Sequence, residues 1–585
     1  MRIALALLAV GWIAGCSKPE SDLNPSISHE VIAEIPPPEL AAETFAAVLK
    51  EHFLWDTPSD LDSIRLSSTL EKDVILGNLA HLPKLEKITF REVPLSKTDL
   101  TKLAPFRNVT QIELAGYDHV STDLLSSIPS VTQLEFSQCE FVPWERIHDT
   151  CGQKLQHLEV SRSPIDGDGI ASLSAIATLE SIGFYDSRHI DETALSSLSK
   201  LKSLNSLTVV NCDEVQGAFL SEIQGRLELD EFTFTGSLAP AEAIHLGKIS
   251  SLRRIQVNSE QELPVEWFRS ISRGCQQLQS LVLHYQALDK EKIDYISSLP
   301  LLKELQACSN GQVPDFSFGG PSVQADVGSL VSISRLENLE TLHLSRGYRL
   351  GASDGEAIAS LPKLKELVLW HVHLEPGSLA DLGRLENLGS LDIYNGASLS
   401  TADAKAIGAL PNLETLKLRE CRKGAGADFS HLKNLKKLRT LDLSGIHGLS
   451  DGDMSMAQGM VSLEKLTLER NSGVSDAGIA KWHQATNLRE LWIQKLNMDG
   501  SGFIGWPSSH GIESIYIEGT SIDDDGLKAL SRLQNVQSLD IRLQTLLGWD
   551  IRVDLCLRQN PFVTVPPPLW ELRYHAREYE QAGSS

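Results

Sequence analysis

Leu413-Glu-Thr-Leu-Lys-Leu418, Leu438-Arg-Thr-Leu-Asp-Leu443, Leu463-Glu-Lys-Leu-Thr-Leu468 and Leu488-Arg-Glu-Leu-Trp-Ile493 are one phrase written four times, each copy 25 residues after the last. Its fourth and sixth positions are apolar and the residues between them polar. That alternation predicts a short strand with both apolar side chains on one side. A phrase that returns at a fixed distance of this size predicts a solenoid, in which each repeat buries its apolar face against its neighbours.

Working outward, twenty such phrases start at Leu61, Leu85, Val109, Val131, Leu155, Leu179, Leu204, Leu229, Leu252, Leu278, Leu302, Leu339, Leu364, Leu388, Leu413, Leu438, Leu463, Leu488, Ile512 and Val536. Eighteen of the nineteen intervals lie between 22 and 26 residues; the other, Leu302 to Leu339, is 37. The excess predicts an inserted loop near residues 308–330, around Asn310-Gly-Gln-Val-Pro-Asp-Phe-Ser-Phe-Gly-Gly320. Between strands, Asp166-Gly-Asp-Gly-Ile-Ala-Ser-Leu173, Ser475-Asp-Ala-Gly-Ile479 and Asp523-Asp-Asp-Gly-Leu527 place Ser or Asp where the first amides of a helix need acceptors. These Asp-rich turns lack the ligand spacing of an EF-hand, so calcium is not expected there. Trp144 and Trp267 each stand 11 residues before the next phrase, which predicts a shared helix packing site.

The ninth position of the phrase is Cys139, Cys212 and Cys421, or Asn310 and Asn471, with Ser163, Ser187, Ser237 and Thr520 in other copies and Tyr117, Val372 and Leu496 outside that pattern. This resembles the cysteine-containing type of leucine-rich repeat, the kind also found in F-box and GALA proteins. The resemblance covers residues 61–543. It implies an α/β fold, a leucine-rich-repeat solenoid or horseshoe of about 20 repeats, with parallel strands on the concave face and helices on the convex one. It also implies that the ninth side chain bonds backbone groups inside the turn.

Before the repeats, Arg2 and the apolar run Ile3 to Ile13 read as a signal segment too short to span a bilayer. Ile13-Ala14-Gly15-Cys16 resembles the bacterial lipobox. The resemblance implies removal of residues 1–15, acylation of Cys16 and a lipid anchor at the bacterial cell envelope, and Ser17 points to the outer membrane. Several acyl chains hold a protein on a membrane far more firmly than one. Residues 16–38, with Pro19, Pro25 and Pro36-Pro37-Pro38, read as an extended tether. Residues 39–60, holding the amphipathic stretch Glu39 to Phe53, read as a helical cap, and residues 544–585 as a C-terminal cap and tail. Within the tail, Trp549 to Leu557 reads as a last strand.

The formal charge of −24 disfavours nucleic acid and anionic lipid as partners. Cysteines without paired spacing predict neither a disulfide framework nor a zinc site. Gly351-Ala-Ser-Asp-Gly355 matches the G-x-S-x-G nucleophile pattern, yet it falls where other repeats turn from strand to helix, so Ser353 and Asp354 are read as helix-cap residues. His371-Val-His373 lacks a nearby third ligand. No catalytic group, metal or cofactor is expected.

What remains is the open face of the sheet. The fifth and seventh residues of each phrase face away from the core, so they form rows across strands about 4.8 Å apart. Two neighbouring aromatic pairs stand in them, Trp370 with Tyr394 and Trp492 with Tyr516, and exposed Trp and Tyr are common interface anchors. With His343, His371 and Arg419 they form the expected partner-binding set. Glu113, Glu135 and Glu159 make an acidic strip nearer the amino terminus. The sequence therefore predicts a membrane-anchored, non-catalytic protein that binds another protein, or a glycan, on its concave face. The rivals are an F-box-like substrate receptor of a ubiquitin ligase and an envelope spacer without a defined ligand.

Overall fold

Each of the twenty phrases becomes a strand that begins two residues after the phrase does. The computed structural model describes residues 45–46, 61–103, 105–125, 131–150, 154–286, 288–309, 326–395, 398–544 and 550–556. The signal segment with Cys16, the tether, most of the cap helix, the inserted loop from Asn310 to 325 and the tail beyond 556 lie outside the described residues. The chain forms two compact units, Met1–Leu252 and Arg253–Ser585.

The first unit carries β1 (Ser63–Leu66), β2 (Lys87–Arg91), β3 (Gln111–Ala115), β4 (Gln133–Ser137), β5 (His157–Ser161), β6 (Ser181–Tyr185), β7 (Ser206–Val210) and β8 (Glu231–Thr235), each parallel to the next. The second carries β9 (Arg254–Asn258), β10 (Ser280–His284), β11 (Glu304–Cys308), β12 (Thr341–Ser345), β13 (Glu366–Trp370), β14 (Ser390–Tyr394) and β15 (Thr415–Arg419). It continues through β16 (Thr440–Asp442), β17 (Lys465–Glu469), β18 (Glu490–Gln494), β19 (Ser514–Glu518) and β20 (Ser538–Gln544), again all parallel. A final strand, β21 (Asp550–Cys556), runs antiparallel to β20 and closes that edge, the way an exposed sheet edge is usually covered.

Register follows the phrase without a slip. Leu416, Leu441, Leu466 and Leu491 are successive partners, and like their sixth-position companions Leu418, Leu443, Leu468 and Ile493 they are buried. On the other side lie short α or 3-10 segments. Asp166 accepts from Gly169 N at 2.9 Å, Asp523 from Gly526 N at 2.8 Å, and Ser475 from Ala477 N at 3.3 Å. Trp144 and Trp267 are both buried on that side. Phe45, in the described part of the cap segment, is helical and buried against the His81 ring.

Several of the ninth side chains bond backbone groups of the turn, whereas Thr520 Oγ1 is buried without a hydrogen-bond partner. Cys139 Sγ donates to Leu114 O at 3.2 Å, Ser187 Oγ to Val160 O at 3.0 Å, and Cys421 Sγ to Arg419 O at 3.4 Å. Asn471 donates to Leu443 O and accepts from Ile446 N, both at 2.8 Å. Gln286 holds the same place in its repeat, donating to Ser259 O and Gln261 O at 2.9 Å. Ser237 differs: it is exposed, and Leu238 fills the turn instead.

The Gly351–Gly355 stretch is structural, with one correction. Asp354 does cap, accepting from Gly351 N at 3.0 Å and from Gly328 N and Leu330 N of the preceding segment at 2.8 and 2.9 Å. Ser353 does not; it is exposed inside the helix Ala352–Ala359. Gly355 is required because a Cβ there would lie 1.6 Å from Ser378 O.

Candidate binding face

The fifth and seventh residues line up across strands as the pleat demands. In the second unit His343, Val368, Asp392 and Lys417 are successive partners in one row, and Ser345, Trp370, Tyr394 and Arg419 in the other. Trp370 and Trp492 are the exposed aromatics of these rows, at 36% and 38%. The rows are not evenly exposed, however. Thr89, Val368 and Asp392 are buried although they point away from the core, because longer neighbours on adjacent strands lie over them.

At β17–β20 the side chains form a ladder. Lys465 Nζ stands 5.3 Å from the Trp492 ring centre, Trp492 and Tyr516 are 4.8 Å apart at 31°, and Arg542 Cζ is 5.2 Å from the Tyr516 ring. Cations close both ends of an aromatic pair, which the ring quadrupole favours. The Tyr516 hydroxyl donates to Glu518, and Gln494 donates to the same carboxylate at 3.2 Å.

The Trp370–Tyr394 group is built differently. The two residues are register partners, but the Trp370 ring meets His343 edge-on at 4.9 Å, and Tyr394 meets His371 at 4.9 Å with the Arg419 guanidinium 5.2 Å above it. Arg419 Nη2 donates to both Asp392 oxygens, at 2.9 and 3.0 Å, which fixes the guanidinium over the tyrosine. Burial holds the His343 pKa below its usual range, and His284 adds to the effect while Asp392 opposes it. Burial lowers His284 likewise, and burial with the Arg346 charge lowers His371. His371 and His373 do not pair up: the first is half-buried against Tyr394, the second exposed at the start of the short strand His373–Leu374. Among the described residues no group of three or more His, Cys, Asp or Glu is placed to hold a metal ion.

In the first unit the acidic strip is threaded by a lysine. Lys87 Nζ lies 3.1 Å from both Glu113 and Glu135, and Thr89 donates to Glu113 at 2.8 Å. Glu159, at the end of the strip, is raised by desolvation and by the Glu135 charge.

No family model matches the chain, and no curated protein does. Solved structures do. The TLR13–ssRNA13 complex is 16% identical over 83% of this chain and 76% of that one, with a TM-score of 0.52. The chain has the leucine-rich-repeat fold. An internalin from Listeria monocytogenes is 17% identical over 68% of this leucine-rich-repeat chain and 88% of its own, with a TM-score of 0.40. A leucine-rich-repeat protein of Leptospira interrogans is 14% identical over 84% and 98%, with a TM-score of 0.39.

Sequence pattern placed every side chain of the two rows in this leucine-rich-repeat chain, because strand periodicity fixes which residues share a face. It did not show which of them touch. It also passed over Arg346, in the eighth position, one residue past β12, where it acts on His371. The period itself carries that signal, since the eighth residue turns the chain out of each strand at the rim of the face.

Proposed function

We propose that this is a non-catalytic binding protein, held to a bacterial envelope membrane by acylated Cys16, that engages another protein with the open face of its second unit. The observation that carries the reading is the pair of exposed tryptophans, Trp370 and Trp492, the exposed large apolar side chains among the described strand residues. Both are held by neighbours, so they lose little freedom on binding, as interface anchors should. The ring ladder favours a protein over a glycan. Sugars stack on ring faces, and neighbours on both flanking strands already lie against Trp492. The turn thiols and amide of Cys139, Cys212, Cys421 and Asn471 support placing the repeats in the cysteine-containing type. The segments 16–38, 39–60 and 544–585 serve in this reading as tether and caps.

The test is capture of envelope proteins by a soluble form lacking residues 1–38. Trp370→Ala with Tyr394→Ala should reduce capture of a specific partner at least about tenfold, since an anchor contributes about 2 kcal/mol or more. Circular dichroism should be unchanged. Full capture by the folded variant would remove this site, and the same comparison at Trp492 and Tyr516 would then decide between the two ends of the face.

A further inference from the structure

The Trp370–Tyr394 end of the face holds side chains whose charge depends on their surroundings. His284 on β10, His343 on β12 and His371 just past β13 are all half-buried there, with Arg346 and Arg419 beside them. The carboxylate in their midst, Asp392, is 6% exposed and has both oxygens on Arg419. Around His343 stand Gln306 and the Cys308 thiol of β11, Trp370 of β13, His284 beyond β11 and Asp392 on β14. Around His371 stand Arg346 and Tyr394. His284 has Asn258 of β9 on one side and Cys308 on the other. Two further carboxylates, Glu366 and Glu304, lie in the third position, at the entry end of their strands. Glu366 is roughly 7 Å along the strand from the fifth row. Glu304 accepts from Gln306 Nε2 and from Ser280 Oγ, both at 2.6 Å, and so already has its partners. Glu420 lies past β15, 3.6 Å from Arg470.

Resting on the open-face reading above, we infer that this end of the face takes an acidic polypeptide segment and gains protons on His284, His343 and His371 as it does so. In the free protein, burial keeps the three imidazoles uncharged at neutral pH. His343 Nε2 is buried without a hydrogen-bond partner, so a proton there has nothing to stabilise it. Arg346 supplies fixed positive charge, while that of Arg419 is matched by Asp392. A Glu or Asp side chain laid across this patch gives the imidazolium forms the counter-charge they lack, while the exposed Trp370 ring accepts the apolar part of the segment. Proton uptake on binding requires the complex to tighten as pH falls.

The experiment uses the full chain and three fluorescein-labelled peptides: one alternating Glu with Leu, and its counterparts with Gln or Lys in place of Glu. Anisotropy is read at about pH 7.5 and about pH 5.5, where a glutamate is still ionised. The Glu peptide should bind, about tenfold more tightly at the lower pH, and the other two should not. The triple variant His284→Gln, His343→Gln, His371→Gln should bind it equally at both pH values, and Arg346→Gln should weaken it at both. If the triple variant does not fold, His371→Gln alone should reduce the pH gain by about twofold, its share of three. No binding of the Glu peptide, or a pH gain that survives in the triple variant, overturns the inference. Equal binding of the Gln peptide, still lost in Trp370→Ala, overturns the acidic partner but leaves the open-face reading standing. Binding and capture both untouched by Trp370→Ala would remove that reading itself.

Discussion

In both units the residue just past the strand, the eighth of the phrase, recurs in the left-handed region. Glu92, Gln138, Arg162, Asp186, Asn211, Arg346, His371, Asn395, Glu420, Arg470 and Lys495 all have φ between 48° and 54°, and Gly116, Gly445 and Gly519 take the same place in their repeats. None of the side chains is β-branched, as the steric cost of this region demands. For an L residue that cost is about 1–2 kcal/mol, and glycine avoids it while losing about 0.5–1 kcal/mol of chain entropy on folding. Gln138 is exposed, so Gln138→Gly should stabilise its repeat by about 0.5 kcal/mol, and Gln138→Val should destabilise it. A lower melting temperature for the glycine variant would sink the argument. Asp403 makes the opposite case. It is buried and accepts from Gly377 N, Leu379 N and Ser400 N at 3.0, 2.8 and 2.8 Å, tying one repeat's helix start to the segment before it. Asp403→Ala leaves those donors bare and should cost about 3 kcal/mol. Hydrogen exchange at the Gly377 and Leu379 amides reads this locally; unchanged protection there would show that the carboxylate holds nothing.

At the scale of the element, what the sequence made legible and what it left hidden have physical causes. Strand positions were readable because a period-two pattern inside a fixed repeat leaves one register that buries Leu416, Leu418 and their equivalents. Helix starts were readable where a Ser or Asp at the cap bonds its own helix. The buried carboxylates Asp354 and Asp403 bond the preceding repeat as well as their own helix start, and nothing local in the sequence announces the cross-repeat bond. Likewise the pairing of Trp370 with His343 rather than Tyr394 depends on rotamers, which no periodicity encodes. The turn thiols were legible in position and so have a testable consequence. Burial pushes Cys421 and Cys275 up to about 12 and Cys212 up to about 11, so none is a thiolate near neutral pH. Cys308, half-buried in the seventh row, is raised by burial too, though less shielded. Of the five described thiols, Cys308 should react first with iodoacetamide in the folded protein, and the other four only on unfolding. Early labelling of Cys421 would contradict its place inside the turn.

For the molecule as a whole, pH acts through histidine before it acts through the many carboxylates. His284, His343, His371 and His510 all have pKa values lowered by burial, and His510 is 3% exposed, with Nδ1 accepting from Ile512 N at 3.2 Å and its ring 4.6 Å from Trp506. Between the unfolded value of about 6.5 and these lower folded values, the unfolded chain binds more protons, so stability falls as pH falls. The lowered carboxylates have the same sign but act later: Asp99, held down against its own desolvation by bonds to Ser96 and Lys72, contributes stability that is fully present above about pH 4 and is lost only below it. A formal charge of −24 pulls the other way, since protonation relieves repulsion, but that charge is spread over a solvated surface and screened by salt. The buried imidazoles should therefore win. The melting temperature should drop between about pH 7.5 and about pH 5.5, and His510→Gln, away from the binding face, should make the drop smaller. Each unit of pKa depression relieved is about 1.4 kcal/mol, enough to see in a melt. An equal drop in the variant would show that His510 stays neutral in both states, and no drop at all would mean that repulsion outweighs burial. If the face takes an acidic segment, saturating Glu peptide should recover the part of the drop that His284, His343 and His371 cause and leave the His510 part untouched.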